Sequence, residues 1–410
     1  MICGLLGVKL GHSFSPQIHR LLGKYEYKLF EKNSEEITEF FRSNDFHGIN
    51  VTIPYKKEVM QYCDELSPEA QKVGAVNTII RDDQGHLIGH NTDYFGFKFM
   101  VKQSGLSFSG KKVLVLGSGG ASNTVYAVAD ELEANVVVIS RTGENNYSNL
   151  HLHSDCAIIV NTTPVGMYPN NGESPIDLNL FPQLEGVLDL IYNPACTQIL
   201  LDAKARNLIA LNGLWMLVAQ AKESAEWFTN TKIDDRIIIQ IHNIIQQQAS
   251  NIVLIGMPGC GKSTIGKMLS EKCNKKFTDS DAYIEEQSGI DIPEIFAKYG
   301  ENAFRRSETA VLSELGKLSG LIIATGGGCV TREENYSLLK QNGTIIWLRR
   351  DIDKLPTDGR PLSNTVSLHK MYAARQPHYQ AFADIIVDNN CSVEETVATI
   401  LSIIAPGEES

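Results

Sequence analysis

Runs of apolar residues alternate along this chain with segments in which apolar positions recur at helical spacing. Two apolar runs, in KKVLVLGSGGAS (111–122) and NIVLIGMPGCGKST (251–264), lead directly into glycine-rich turns and then into helical patterns. Alternating strands and helices are typical of parallel α/β folds. The pattern therefore predicts an α/β protein with two separate nucleotide-binding sheets. A third α/β unit fills residues 1–105, with GINVTIPYK as its clearest strand and loop.

The two halves of the chain are joined by a short segment. DDRIIIQIHNIIQQQAS (234–250) has helical apolar spacing and a polar face, and Asp234 is suited to cap its first turn. The next strand begins at Asn251, almost without a linker. The pattern predicts a helix that leads straight into the second nucleotide-binding sheet.

Composition narrows the class of protein. The length of 410 residues allows two or three domains, and the formal charge of −11 argues against a broad nucleic-acid or anionic-membrane surface. The first residues lack the basic and apolar regions of a signal peptide, and no apolar run is long enough to cross a bilayer. Eight cysteines occur singly, without a C-x-x-C pair, so we expect a cytoplasmic protein without a disulfide framework.

The second glycine-rich turn fits the phosphate-binding pattern G-x-x-x-x-G-K-[ST] from Gly256 to Ser263. Glycines in such a loop let backbone N–H groups turn inward onto a phosphate. Lys262 would neutralise charge on the β and γ oxygens, and Ser263 would bind Mg²⁺. The loop predicts a bound nucleotide but does not name the acceptor of its phosphoryl group.

Four later motifs follow this loop in a fixed order: FTDSDAYIEEQSGIDIPEIFAKYGENAFRRSE (277–308), ATGGGCV (324–330), DGRPL (358–362) and ARQPHY (374–379). Together they closely resemble shikimate kinase, from about residue 251 to residue 403. Taken singly, each residue has an ordinary structural explanation, such as a solvated arginine or a helix cap at Asp281. The ordered set favours the kinase.

The resemblance implies a role for each matching residue. Asp281 would bond the acceptor hydroxyls and take a proton, while Arg305 and Arg375 would clamp a carboxylate with their guanidinium forks. Asp279 would bond a water on Mg²⁺, and Arg360 in the lid would reach the ATP phosphates. The implied ATP-binding residues are Gly259, Cys260, Gly261, Lys262, Ser263, Thr264 and Arg360. The backbone would approach the ring of the acceptor closely at Gly326, Gly327 and Gly328.

Two segments depart from the kinase pattern. The lid segment RRDIDKLPTDGRPL (349–362) contains three aspartates and is short where relatives often carry another arginine. Near the C-terminus, VDNNCS (387–392) has no arginine where some relatives place one against the adenine.

The first glycine-rich turn matches the dinucleotide fingerprint in part. Gly117 and Gly119 fit its first two glycines, but Ser122 replaces the third. The next strand ends in Arg141 and Thr142, where an acidic residue would favour NAD, so the arginine favours the 2′-phosphate of NADP.

Seven further motifs of the first half occur in order: GHSFSPQIH, NVTIPYK, GAVNT, HNTDYFGF, NTTPVGM, DLIYNP and NGLWMLVAQA. Together they closely resemble shikimate dehydrogenase from about residue 1 to residue 248. The resemblance implies a catalytic pair, Lys56 and Asp93. It also implies substrate contacts from Ser13, Ser15, Thr52, Asn77, Tyr192 and Gln220, and cofactor contacts from Gly117, Ser118, Gly119, Gly120, Ala121, Ser122, Arg141, Thr142, Leu190 and Gly213.

Ketone reduction needs a pair of this kind. Negative charge grows on the oxygen as hydride arrives, so a positioned donor must supply a proton. A lysine ammonium beside a carboxylate supplies both charge and proton, although the sequence does not decide which of Lys56 and Asp93 gives the proton. The alternative is a surface lysine and a helix-capping aspartate.

The dinucleotide-binding segment is shorter than the family pattern. Only GENNYSNLHLHSDCAII (143–159) lies where relatives have a helix and another strand. We therefore predict a Rossmann-like domain trimmed by about one β-α unit at 106–212. It follows a substrate domain at 1–105 that is completed by helices at 213–248, and it precedes a P-loop kinase domain with a parallel sheet at 251–410.

The two resemblances together imply a bifunctional shikimate-pathway enzyme that uses NADP(H), ATP and Mg²⁺. The front half would reduce 3-dehydroshikimate to shikimate, and the back half would phosphorylate that product. Two alternatives stay open: a quinate/shikimate dehydrogenase using NAD fused to the same kinase, and a non-catalytic regulator that senses pathway metabolites. The partners are small molecules, not nucleic acid or membrane, and the sequence leaves the oligomeric state open.

Overall fold

The computed structural model describes residues 1–11, 13–43, 45–355 and 368–404. Its strands form three sheets, of six, five and five strands. The chain divides into two compact units, the first of which holds the first two sheets and the second the third sheet. Two short segments, Tyr168–Gly172 and Asn193–Gln198, group with the second unit. The predicted α/β class, with a Rossmann-like part and a P-loop part, is confirmed.

The first sheet is mixed. Its strands lie in the order β2-β1-β3-β5-β6-β4, and β5 runs antiparallel to both β3 and β6. A buried apolar cluster that includes Phe40, Ile49 and Tyr55 covers one face. The elements are β1 Ile2–Gly7, α1 Ser15–Leu22, β2 Glu26–Glu31, α2 Ser34–Arg42, β3 Gly48–Val51, β4 Glu65–Leu66, α3 Pro68–Val73, β5 Thr78–Arg81, β6 Leu87–His90 and α4 Thr92–Ser104.

The second sheet is entirely parallel, in the order β11-β10-β9-β7-β8. After β8 the chain forms only a short 3-10 helix, Leu150–His153, before it enters β9 on the other side of β7. The predicted loss of one β-α unit is therefore confirmed. The elements are β7 Lys112–Leu116, α5 Gly120–Glu131, β8 Asn135–Ile139, β9 Ile158–Asn161, β10 Gly186–Asp189, α6 Gln198–Ala205 and β11 Ile209–Asn212.

Two helices complete the first unit. In α7 (Leu214–Thr229) the side chains of Leu214 and Val218 pack in one buried cluster with Phe99 of α4. Helix α8 (Arg236–Ala249) adds Ile238 and Ile241 to this cluster. One residue, Ser250, separates α8 from the next strand, as the sequence predicts.

The third sheet is also entirely parallel, in the order β13-β14-β12-β15-β16. Its central strands are buried along their full length, as parallel strands covered by helices on both faces should be. The elements are β12 Asn251–Ile255, α9 Lys262–Cys273, β13 Lys276–Asp279, α10 Ser280–Ser288, α11 Ile292–Tyr299, α12 Glu301–Lys317, β14 Leu321–Ala324, α13 Glu334–Lys340, β15 Gly343–Arg349, α14 Leu368–Phe382, β16 Ile385–Asp388 and α15 Val393–Ile404. None of the helices in the described ranges has the length and hydrophobicity to cross a membrane.

Candidate active sites

The first candidate site centres on an ion pair between Lys56 and Asp93. Lys56 lies in the turn that follows β3, and Asp93 lies in the first turn of α4. The Nζ atom of Lys56 donates to Oδ2 of Asp93 at 2.6 Å, and both side chains are partly buried. The cap of α4 is Asn91, whose side chain accepts from the amide of Tyr94. Asp93 is therefore not used as a cap and its carboxylate is held by the lysine.

A buried hydrogen-bond network lies beside this pair. The Oδ1 atom of Asn77 accepts from the amide of Thr92 at 2.7 Å, and its Nδ2 donates to Oγ1 of Thr92 at 3.0 Å. The Thr92 hydroxyl also donates to Oε1 of Gln220 at 3.5 Å. Ser224, which is fully buried, contacts the hydroxyls of Thr92 and Thr78 and the amide group of Asn50. The network fixes the predicted substrate residues Asn77 and Gln220 in one orientation.

The other predicted substrate residues lie near strand ends and helix starts. The hydroxyl of Ser13 accepts from the amide of Ser15, which begins α1, at 3.1 Å. Thr52 directly follows β3. The ring of Tyr192 lies 5.8 Å from that of Phe14, and burial raises the pKa of its hydroxyl.

The first glycine-rich turn is shaped to admit a ligand. Gly117 has φ of +105°, and a Cβ there would lie 2.8 Å from Oγ1 of Thr162. A Cβ on Gly119 or Gly120 would meet no atom of the described residues within 4 Å, and both glycines are exposed at the start of α5. Ser118 and Ala121 are exposed as well, whereas Ser122 is buried and donates to the carbonyl of Gly119 at 2.6 Å. The helix start therefore presents open space to an anion.

The remaining predicted cofactor residues flank the same sheet. A Cβ on Gly213 would lie 2.0 Å from the carbonyl oxygen of Leu190, so only glycine lets these two segments approach. Arg141 and Thr142 are exposed just beyond the end of β8. A guanidinium at this point suits a 2′-phosphate.

The second candidate site is built around the phosphate-binding loop. Gly256, Gly259 and Gly261 all have positive φ, so the loop curls around its own centre. Lys262 is buried, and its Nζ donates to the carbonyl oxygens of Gly256 and Met257 at 2.9 and 3.0 Å. The loop thus holds the lysine ammonium inside its curve.

A hydroxyl and a carboxylate meet at the mouth of this loop. The hydroxyl of Ser263 donates to Oδ2 of Asp279 at 2.6 Å, and the neighbouring Thr264 is exposed. Oxygen donors of this kind suit Mg²⁺, which keeps several of its waters. Asp279 also caps α10 by accepting from the amide of Asp281 at 3.0 Å. The carboxylate of Asp281 is therefore not the helix cap.

Asp281 shares its surroundings with a buried ion pair. Arg305 donates from Nη1 to Oε2 of Glu308 at 2.7 Å, and Glu308 is fully buried. One oxygen of Asp281 and one of Glu308 are buried without a hydrogen-bond partner in the described part of the chain. Burial, together with the charges of Glu308 and Asp279, raises the pKa of Asp281 to about 6. Burial also raises the pKa of Glu308.

The three glycines after β14 let these groups pack closely. A Cβ on Gly326 would lie 2.5 Å from Oε1 of Glu308, and one on Gly328 would lie 2.2 Å from Nη2 of Arg305. The carbonyl of Gly327 accepts from Nη1 of Arg375 at 3.0 Å and from the hydroxyl of Tyr379 at 2.5 Å. The strand end therefore brings both arginines and Asp281 to one place.

A cavity of about 550 Å³ joins the loop to these groups. Its lining also includes the aromatic side chains of Phe296 and Phe304. A pocket lined by carboxylate, guanidinium and phosphate-loop groups together with aromatic rings suits a small polar ligand that carries negative charge. The predicted residues in its lining are Gly259, Gly261, Lys262, Ser263, Thr264, Asp279, Asp281, Arg305, Gly326, Gly327, Gly328 and Arg375. Cys260 is buried within the loop, and Arg360 lies outside the described residues.

Sequence reasoning missed residues that hold the predicted ones in place. Glu308 pairs with Arg305, Tyr379 bonds the Gly327 carbonyl, and Ser224 joins the network behind Asn77. Asn389 donates to the carbonyl of Cys260 at 2.5 Å. Only the Arg305–Glu308 pair had a local signal, the spacing of three residues on a helix. The other contacts join distant segments.

Comparisons with known proteins place both halves. The shikimate kinase family model matches residues 258–405, and the model of the shikimate dehydrogenase substrate binding domain matches residues 5–79. The NADP(+) shikimate dehydrogenase of Clostridium beijerinckii is 34% identical over 60% of this chain and 98% of its own length. That of Clostridium perfringens is 37% identical over 56% of this chain and 93% of its own length.

Solved structures give the same result for the first half. A chorismate mutase/shikimate 5-dehydrogenase fusion protein from Clostridium acetobutylicum is 39% identical, with a TM-score of 0.57 over 60% of this chain and 96% of its own. A shikimate 5-dehydrogenase from Thermus thermophilus, in complex with NADP(H) and shikimate, is 29% identical, with a TM-score of 0.55 over 60% of this chain and 99% of its own. The chain therefore belongs to the shikimate dehydrogenase family and carries a shikimate kinase domain in the same polypeptide, which makes it a bifunctional enzyme of the shikimate pathway.

Proposed function

We propose that this protein reduces 3-dehydroshikimate to shikimate with NADPH and then phosphorylates the 3-hydroxyl of shikimate with ATP and Mg²⁺. The observation that carries the proposal is the presence of two acid–base groups in one chain. One is the Lys56–Asp93 pair, and the other is Asp281 beside Arg305 in a polar cavity. The product of the first reaction is then the substrate of the second.

In the reduction, NADPH supplies the hydride when it is bound. Lys56 neutralises the charge that grows on the carbonyl oxygen, and the Lys56–Asp93 pair supplies a proton to that oxygen. Asn77 and Gln220, fixed by their shared contacts with Thr92, bond ring hydroxyls and orient the carbonyl towards the lysine. The hydroxyls of Ser13 and Ser15 bind the carboxylate, and Thr52 and Tyr192 bond further ring hydroxyls.

The open face of the first glycine-rich turn supports a dinucleotide site at this sheet. Space beyond Gly119 and Gly120, at the start of α5, suits the pyrophosphate. Arg141 and Thr142 would bind the 2′-phosphate and thereby favour NADP. Leu190 and Gly213 would flank the nicotinamide.

In the phosphorylation, ATP supplies the phosphoryl group when it is bound. Arg305 and Arg375 hold the carboxylate of shikimate, which orients its 3-hydroxyl towards Asp281. Asp281 accepts the proton of that hydroxyl, a role that its raised pKa and its buried oxygen, which has no partner within the described ranges, support. Lys262 neutralises phosphate charge, while Ser263 and Asp279, the latter through water, would hold Mg²⁺.

We assign these roles to three domains at 1–105 (completed by helices at 213–248), 106–212 and 251–410. We place both reactions in the cytoplasm, where reducing conditions suit the eight free thiols.

A coupled assay tests the function. The full chain is incubated with 3-dehydroshikimate, NADPH and ATP·Mg²⁺, and the product is identified by mass spectrometry. We expect shikimate 3-phosphate, formed through shikimate, with one NADPH and one ATP used per product. Faster turnover with NAD and quinate would mean the other dehydrogenase specificity. Binding of shikimate without turnover of either cofactor would mean a sensor and would refute the proposal.

A further inference from the structure

We propose that Arg350 binds the α-phosphate of the nucleotide, a contact beyond those assigned above that rests on the proposed kinase function. Arg350 directly follows β15, the strand that pairs with β12 beside the phosphate-binding loop. Its Nη1 lies 4.0 Å from the position that a Cβ on Gly261 would occupy. Gly261 is the last loop residue before Lys262, so the guanidinium reaches the place where the loop meets α9.

The carboxylates nearest to Arg350 in sequence form ion pairs with other cations. Arg349 forms a two-pronged ion pair with Asp388, and Asp351 pairs with Lys354 at 3.2 Å. The Nε atom of Arg350 is buried and has no hydrogen-bond partner among the described residues. A buried donor of this kind is costly unless a ligand or solvent satisfies it.

The surroundings of Arg350 form a rigid corner beside the loop. The side-chain Nδ2 of Asn389 donates to the carbonyl of Cys260 at 2.5 Å. The backbone N–H of Asn389 donates to the carbonyl of Arg349 at 2.7 Å. The side chain of Asn390 exchanges hydrogen bonds with Asp351 at 3.0 and 3.1 Å. These bonds tie the ends of β15 and β16 to the loop. They fix the backbone position from which the Arg350 side chain extends.

The position of Arg350 decides which part of the nucleotide it meets. The described residues that line the 550 Å³ cavity include Asp281 and Arg375 but neither Arg350 nor Asn389. Arg350 therefore lies beside Gly261 but outside the lining of this cavity, and we place the nucleoside end of the bound nucleotide on that side of the loop. A planar cation at this end matches a phosphate oxygen pair. It also supplies a cation near the VDNNCS segment, which has no arginine of its own.

Calorimetric titration of the full chain tests the inference, with MgADP and inorganic tripolyphosphate as separate probes. Arg350→Ala should weaken both probes roughly 10- to 100-fold, as loss of one charge-assisted contact does. The matched control is Arg349→Ala, which removes the neighbouring exposed arginine and should leave both affinities unchanged. Circular dichroism and the melting temperature of each variant show whether the second unit still folds.

Three outcomes would overturn the inference. Unchanged MgADP binding by Arg350→Ala would remove Arg350 from the site. Weaker MgADP binding with unchanged tripolyphosphate binding would move the contact to the base or ribose. An equal loss of affinity in Arg349→Ala would mean that the effect comes from removing a positive charge near the site and not from a contact of Arg350. If wild type binds MgADP but does not phosphorylate shikimate, the proposed function fails while this contact stands.

Discussion

At the residue scale, the chemistry of both sites depends on carboxylates that differ in their partners. Asp93 is held by a lysine at 2.6 Å, whereas Asp281 keeps one buried oxygen without a partner among the residues that the structure describes. Burial raises the pKa of Asp281 to about 6, and this shift makes its protonation a measurable step.

The kinase reaction should lose activity in acid because Asp281 must be ionised to accept a proton. A raised pKa means that the carboxylate forms only as pH rises through about 6. We expect kcat/KM for shikimate to fall roughly tenfold per pH unit below that value. Asp281→Asn should lose most turnover at every pH.

Circular dichroism of the same samples provides the control for folding in that pH series. A kinase rate that stays level well below pH 6 while the chain remains folded would contradict Asp281 as the base.

A second residue-scale prediction concerns the space beyond Gly119. A Cβ there meets nothing within 4 Å in the part of the chain that the structure describes, so Gly119→Ala should leave the melting temperature unchanged. If the pyrophosphate of NADPH occupies that space, the same change should weaken NADPH binding about tenfold or more. Fluorescence titration with NADPH measures the loss.

Gly117→Ala is the contrasting variant. Its Cβ would press on Thr162 and its φ of +105° would be strained, so this change should lower stability itself. Unaltered NADPH affinity in Gly119→Ala would rule out the proposed position of the pyrophosphate.

At the element scale, the end of α8 is held by one side chain. Lys275 donates to the carbonyls of Gln247, Gln248 and Ser250 at 2.7 to 2.9 Å. The last carbonyls of a helix lack internal partners, and a cation there also complements the helix dipole. Lys275 therefore helps to secure the helix end that leads into β12, where the amide of Gly320 also donates to the carbonyl of Ala249 at 2.8 Å.

Replacing Lys275 should destabilise the protein because those carbonyls then lose a hydrogen-bond donor. We expect Lys275→Met to lower the free energy of unfolding by roughly 2 kcal/mol, measured by urea denaturation. Lys276→Met, at the exposed neighbouring position, should change it by no more than about 0.5 kcal/mol. Equal effects of the two variants would show that the three hydrogen bonds do not matter.

The elements were predictable from sequence to the extent that their signals are local. Gly256–Ser263 carries its pattern in eight consecutive residues, and the missing β-α unit follows from the short segment after Arg141. The roles of Ser224 and Asn389 were not predictable, because their partners come from distant parts of the chain. The capping roles of Asn91 and Asp279, which free Asp93 and Asp281 for chemistry, also needed the backbone geometry.

At the scale of the whole molecule, the chain divides into two compact units, and each holds one candidate site. Lys56 belongs to the first unit and Lys262 to the second. The proposed roles of these two lysines therefore predict two activities that can be removed separately.

Lys56→Ala should lower dehydrogenase turnover at least about 100-fold and spare the kinase. Lys262→Ala should do the reverse, because the phosphate charge then lacks its cation. Both rates are measured on the same full-length preparation of each variant. Loss of both activities from either change would contradict independent sites.

The absent β-α unit has one more physical consequence, at strand β8. This strand ends its sheet, so it has a neighbour on one side only among the described residues. The amide of Asn135 donates towards β7, and alternation along a strand turns Val137 the same way and Val136 and Val138 outward. Deuterium should therefore replace the amide protons of Val136 and Val138 quickly and that of Val137 slowly. Neighbouring valines of one strand should thus show two different exchange rates.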